Sequence, residues 1–193
     1  MTPYASSFRR RGHGRPEKKP GLSGEAPSPA ATAAVHLALM DGLDAVIRPA
    51  TAGDTKALAT LCGVLGYPTA PGDAARRFAE LAADPGHEIF VAEASDAGRV
   101  VGFIHVYEYV LLEADPMAQL GGLAVDPRAR RHGVGTALFA AACEWARARG
   151  LAELRIRAGA ERDAAHDFYP AAGCRRVKSQ HVYAIDLGTE AGA

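Results

Sequence analysis

The run Leu123-Ala124-Val125-Asp126-Pro127-Arg128-Ala129-Arg130-Arg131-His132-Gly133-Val134-Gly135-Thr136-Ala137-Leu138 constrains the fold more than any other part of the chain. An apolar strand pattern ends at Asp126-Pro127, a basic, glycine-containing loop follows, and a long helical pattern begins. Strand, loop and helix in that order build an anion site. The first backbone N–H groups of a helix have no intrahelical acceptor, and the helix dipole favours negative charge there. Gly133 and Gly135 let a phosphate approach the backbone with no Cβ in the way. Arg130 and Arg131 add positive charge. A dinucleotide fingerprint would need a third glycine where Leu138 stands, and a P-loop would need a lysine before Thr136.

The spacing Arg130-x-x-Gly133-x-Gly135, with Val125, Pro127 and Arg130 ahead of it, resembles the pyrophosphate loop of the acetyl-CoA-dependent N-acetyltransferase (GNAT) superfamily. A second segment, Ala165-His166-Asp167-Phe168-Tyr169-Pro170-Ala171-Ala172-Gly173-Cys174, resembles that family's A-x-x-F-Y-x-x-x-G-F stretch. The resemblance runs from about Val46 to Leu187 and extends loosely to an aminoglycoside-acetyltransferase-like subgroup. It implies an acetyl-CoA cosubstrate lying across a split between two parallel strands. The backbone of Leu123, Ala124 and Val125 would pair with the pantetheine arm. Arg130, Arg131, His132, Gly133, Val134, Gly135 and Thr136 would hold the pyrophosphate. Tyr169 would be the general acid that protonates the departing thiolate. Pro170 disfavours helical geometry at Tyr169, so the resemblance leaves that hydroxyl displaced. Cys174 stands where the family usually has Phe.

A protonated amine must lose a proton before it attacks a thioester. Some family members carry a Glu on the strand before the loop. Gln119 occupies that position here and cannot act as a base. Glu108, Glu113, Asp115, His105 and His166 remain as candidates, with Glu108 on the neighbouring strand first among them. His105 and Glu108 fall on opposite faces of a regular strand, so at most one of them faces a cleft. The reading is an enzyme that acetylates a primary amine, of a small molecule rather than a protein N-terminus. The alternative is an acyl-CoA-binding regulatory domain without turnover.

Periodicity predicts a mixed α/β fold in the order β-α-α-β-β-β-α-β-α-β-β, with a mostly antiparallel sheet splayed at the cofactor site. Ala45 to Pro49 reads as a strand. Leu58, Leu61, Cys62 and Leu65 mark a first helix, and Ala75, Phe78, Ala79 and Ala82 the face of a second. Glu88–Ala94 and Arg99–Tyr109 form a hairpin about Ser95 to Gly98, and Ala118–Val125 is the next strand. Val134, Leu138, Ala141, Ala142 and Trp145 stripe a long helix that Gly150 ends. Ala152–Arg157, a short helix over Asp163–Tyr169, and strands at Arg175–Val177 and His181–Leu187 complete the pattern.

The formal net charge of the 193 residues is zero, which argues against bulk binding to nucleic acid. That zero is uneven. Residues 1–30 carry six basic and two acidic residues, a net of +4, with Pro3, Pro16, Pro20, Pro27 and Pro29. We expect residues 1–44 to be a disordered extension, residues 45–188 the catalytic domain, and 189–193 a short tail. The balancing negative charge on the rest suggests an acidic acceptor cleft. No apolar run is long enough for a membrane span. Cys62, Cys143 and Cys174 show no metal spacing, and we expect reduced thiols, a cytoplasmic setting and no metal. A homodimer is the assembly the resemblance implies.

Overall fold

Three buried apolar positions in alternation, Phe90, Ala92 and Ala94, place the central sheet against a helix. The computed structural model describes residues 35–38, 44–95 and 98–188. In chain order its elements are β1 (Val35–Ala38), β2 (Asp44–Pro49), α1 (Thr55–Val64), α2 (Pro71–Ala82), β3 (His87–Ala94), β4 (Arg99–Leu111), β5 (Ala114–Val125), α3 (Val134–Ala148), β6 (Leu154–Arg155) and α4 (Asp163–Ala171). The six strands form one sheet in sequential order. Neighbours from β1 to β5 are antiparallel, and β6 joins β5 in parallel. The mixed α/β class and the mostly antiparallel sheet are as expected. Among the described residues no helix is long and apolar enough to cross a membrane.

Two cores sit on the two faces of the sheet. On one, α3 packs Val134, Ala137, Leu138, Phe139, Ala142, Trp145 and Ala146 against Phe90, Ile104, Val106, Ala118 and Leu120. On the other, Leu58 and Leu61 of α1 meet Val91, Phe103 and Ala124. The buried stripe of α3 is broader than the expected five positions, as a helix against a sheet requires. Where α3 crosses β4, a Cβ on Gly102 would come within 3.0 Å of Leu138 Cδ1 and of the Ala124 carbonyl.

A bulge interrupts β5. His105 pairs with Gly122 and Val106 with Leu120, so Gly121 is the extra residue. The bulge resets the alternation. Ala118 and Leu120 face α3 before it, and Leu123 and Val125 do so after it. Met117 and Gln119 therefore share the α1 face with Gly122 and Ala124.

Several sequence expectations need correction. The segments Arg175–Val177 and His181–Leu187 form no strand; residues 175–188 are exposed throughout. Their alternation lacks a partner, because β6 is only two residues long and offers no ladder to extend. The stretch before Asp44, expected to belong to a disordered extension, contains strand β1, paired with β2. The rest of the expected N-terminal extension and the tail from 189 lie outside the described residues. In α2 the buried side is Ala74, Phe78 and Leu81 rather than Ala75, Ala79 and Ala82. Alanine is a weak guide to which side of a helix is buried; Phe78 and Leu81 decide it here. Finally, β4 and β5 run on to a tight turn at Leu112-Glu113, across residues expected to be loop.

Candidate active site

The site is built where β5 loses one neighbour. Its inner edge is paired with β4 along the strand, while its outer edge meets β6 only at Ala118 and Gln119. From Leu120 to Val125 the outer edge pairs with no described strand. The side chains of Leu123 and Val125 pack towards α3 and that of Ala124 towards α1. What these residues offer a ligand is therefore their backbone, in the manner of an added strand.

The loop beyond Val125 is held in place by its own polar groups. Asp126 accepts hydrogen bonds from the Arg128 amide at 2.9 Å and from Arg99 Nη1 at 2.8 Å. The Arg128 amide, with Arg99 beside it, holds the Asp126 carboxyl below the usual carboxylate range. Arg130 Nε donates back to the Val125 carbonyl at 3.2 Å. Arg131 has φ 68° and Gly133 φ 87°, both left-handed. Such backbone turns successive N–H groups into one concavity. The first intrahelical bond of α3 runs from Ala137 N to Gly133 O at 3.0 Å, and no side chain caps the helix. The N–H groups of Val134, Gly135 and Thr136 thus precede the helical ladder. His132 Nδ1 is buried in the same loop without a hydrogen-bond partner among the described residues. Uncapped amides, a spare imidazole nitrogen and two arginines fit a diphosphate. The loop residues named from the sequence span this turn and the first turn of α3.

Tyr169 packs on Phe168 and on Phe139 of α3, with ring centroids 5.2 and 6.0 Å away. Pro170 does not break the helix at Tyr169: both residues lie within α4. Pro170 stands in the last turn, where the lost N–H removes a single bond. Cys174 N then donates to the Tyr169 carbonyl at 2.9 Å past the left-handed Gly173. Burial pushes the Tyr169 phenol up to about 12, which keeps it a proton donor at neutral pH. The loop and Tyr169 come together through α4: Phe168 would lie 3.6 Å from a Cβ on Gly135.

Glu108 is not brought to this place. It is exposed, on the α3 face opposite Ala118, and its amide donates to the Gly86 carbonyl at 2.8 Å. Pro85 of the same turn accepts from Arg149 just past the C-terminal end of α3. The anion loop lies at the other end of that helix, which leaves Glu108 without geometry for a base. Glu113 and Asp115 are further out, at the hairpin tip. His166 Nε2 is 3.0 Å from the Gly159 carbonyl, turned to the loop before α4.

His105 is the candidate that lies at the β5 bulge. Its ring lies against Gly121, and its Nε2 is 2.9 Å from His87 Nδ1. His87 was not legible as a site residue, because only the strand register sets it beside His105. By register, this face also carries Tyr107, Tyr109, Gln119, Arg155 and Arg157, with Arg157 over the Tyr109 ring at 5.7 Å. Glu153 pairs with Arg155 at 3.1 Å. This face is aromatic and imidazole-rich. Cys62, Cys143 and Cys174 are half-buried free thiols, and burial pushes Cys143 and Cys174 up. That suits packing rather than nucleophilic attack.

Residues 56–174 match the model of the acetyltransferase (GNAT) family. An aminoglycoside N(6')-acetyltransferase type 1 of Serratia marcescens is 39% identical over 88 residues, which is 44% of this chain and 60% of that protein. The match thus spans less than two thirds of that relative's length. Among solved structures, aminoglycoside 6'-N-acetyltransferase AAC(6')-Ih from Acinetobacter baumannii superposes with a TM-score of 0.65 at 19% identity, covering 75% of this chain and 99% of that one. Aminoglycoside N-acetyltransferase AAC(6')-Iy, in complex with CoA, gives 0.67 at 21% identity, covering 75% and 96%. At these identities the two structures establish the shared fold.

Proposed function

The chain belongs to the acetyltransferase (GNAT) family, and from that premise we propose that it moves the acetyl group of acetyl-CoA onto a primary amine of a small molecule by direct attack in a ternary complex. One observation carries the reading. The uncapped start of α3, under the left-handed Arg131 and Gly133, lies directly beyond a strand edge left open from Leu120 to Val125. A diphosphate on the first and an extended pantetheine arm along the second bring the thioester to the Gly121 bulge. Arg130 and Arg131 supply charge, and the α3 amides supply fixed donors that need no reorganisation.

At the bulge the amine attacks the thioester carbon. Its oxygen gains negative charge and takes a hydrogen bond from a backbone N–H of β5, a contact that can stabilise the transition state by about 3 kcal/mol. The tetrahedral species collapses with loss of the CoA thiolate; Tyr169 gives the thiolate its proton, and the phenolate takes back the extra proton of the amide nitrogen. Acyltransfer here needs no metal. Three cysteines without a disulfide framework support a cytoplasmic setting, and a homodimer is the assembly we propose.

The relatives named above are aminoglycoside acetyltransferases, so aminoglycosides head the acceptor panel. CoA release is measured with these and with polyamines and simple alkylamines. Turnover with at least one amine supports the proposal. Acetyl-CoA binding without turnover on any amine overturns it in favour of a regulatory domain. At a hundredfold excess over Kd, binding stabilises the fold by about 2.7 kcal/mol, which a thermal shift reads directly.

A further inference from the structure

Two imidazoles and a carboxylate line up from the bulge of β5 to the surface. A Cβ on Gly121 would collide with His105 Nδ1, so any side chain there would occupy the space the ring now fills. At the far side of the ring, His105 Nε2 is 2.9 Å from His87 Nδ1. His87 Nε2 is in turn 3.8 Å from Asp84 Oδ2, in the turn before β3. Tyr107 keeps His87 in plane, its ring nearly parallel at 5.1 Å. Gly121 itself is exposed, and Asp84 is in solvent.

We propose that His105 takes the ammonium proton of the bound amine and passes it through His87 to water beside Asp84, so that the two rings form a proton relay out of the acceptor site. The inference rests on the acetyl-transfer reading, which brings the amine to Gly121. At rest, His105 carries its proton on Nε2 and donates it to His87 Nδ1, and His87 carries its own on Nε2. The ammonium N–H bond breaks and a bond forms at His105 Nδ1. The Nε2 proton of His105 moves to His87 Nδ1, and the Nε2 proton of His87 leaves to water. One proton has left the amine, and its lone pair is free to attack. The reverse passage, from water at His87 to water in the emptied cleft, restores the starting tautomers.

The surroundings favour passing the proton on over holding it. Burial, and secondarily the charge His87 would carry, depress the His105 imidazole to about 4, so a charged ring there is short-lived. The groups facing the pair are few. Asp84 comes from the turn before β3 and Tyr107 from β4. The bulge of β5 brings only Gly121 and Gly122, and α1 brings Leu65 against Gly122.

The test compares wild type with His105→Gln and His87→Gln, using an amine that the panel shows to be accepted. The expected result for His105→Gln is a kcat about 100-fold lower at neutral pH. The deficit closes as the pH nears the amine's own pKa, where no base is needed. His87→Gln follows the same pH shape with a smaller loss, and neither variant changes the Kd for acetyl-CoA. A deficit that stays constant across pH is structural and overturns the relay, as does an unchanged kcat in His105→Gln. If His105→Gln does not fold, Gly121→Ala displaces the same ring from the other side, and the same pH-dependent loss is expected. A wild type that binds acetyl-CoA and acetylates no amine overturns the acetyl-transfer reading itself, a different outcome from an active enzyme with indifferent histidines.

Discussion

Arg162 Nη2 donates to the Leu65 carbonyl at 2.7 Å, joining the residue before α4 to the C-terminal end of α1 across 97 positions of sequence. α1 lies on one face of the sheet, and Phe168 and Tyr169 of α4 pack with the core on the other. The bond therefore passes over the gap where β5 and β6 part. A cation at a helix C-terminus meets the negative end of the dipole and carbonyls without intrahelical partners. Arg162→Ala should cost about 1 kcal/mol in thermal or denaturant unfolding. It should raise KM for the amine several-fold more than the Kd for acetyl-CoA. Equal effects on both would show that the strap does not bear on the acceptor side.

Gly133 tests the anion loop. Its φ of 87° is costly for any residue with a Cβ. Gly133→Ala should destabilise the fold by about 1–2 kcal/mol and weaken acetyl-CoA binding by about tenfold or more, measured by calorimetry. Dephospho fragments of the cosubstrate that lack the diphosphate should show no such difference between wild type and variant.

Tyr169→Phe keeps the ring against Phe139 and Phe168 and removes only the donor. The expected kcat falls by about 10–100-fold, with the Kd for acetyl-CoA unchanged. With its phenol held up to about 12, Tyr169 stays protonated well beyond neutrality. The wild-type rate should therefore show no falling limb from this group below about pH 11, as stopped-flow mixing into alkaline buffer would reveal. A limb near pH 10 that Tyr169→Phe abolishes would contradict the buried, neutral phenol.

The base of α1 carries a bidentate ion pair. Arg48 donates to both carboxylate oxygens of Asp54 at 2.8 Å and to Glu93 at 2.6 Å, and Asp54 also accepts from Thr51 N and Oγ1. The Arg48 guanidinium, foremost, lowers Asp54 from 3.8 to about 2. A carboxyl whose folded pKa is depressed stabilises above its unfolded value and loses that stability as pH falls through the folded one. The window is therefore pH 4 down to 2, and the contribution is about 2 kcal/mol. Urea midpoints across that range should fall steeply for wild type. Asp54→Asn should start lower at pH 7 and show a shallower decline.

Much of this was legible in the sequence, for identifiable reasons. The anion loop is local: its strand end, glycines and helix start are contiguous, and each signal reads without tertiary knowledge. The segment around Tyr169 was legible because Phe168, Tyr169 and Gly173 lie on one short helix and its cap. The base was not. Glu108 and His105 are both ordinary strand residues by pattern, and what separates them is a register that brings His87 alongside one and the Gly86 turn alongside the other. The closing strands failed for the opposite reason. His181–Leu187 alternates well, but strand propensity is realised only against a partner, and none stands there among the described residues.

The bulge at Gly121 acts as a change of phase. Before it, even-numbered residues of β5 face α3; after it, odd-numbered ones do. A substitution at any one position disturbs one contact, whereas deleting Gly121 would turn over everything from Gly122 to Val125. Ala124 would leave Leu58 and Leu61 for the α3 side, and the arginine loop would emerge pointing to the wrong half of the molecule. In this strand length itself carries information, so one missing residue would be far more damaging than one wrong residue.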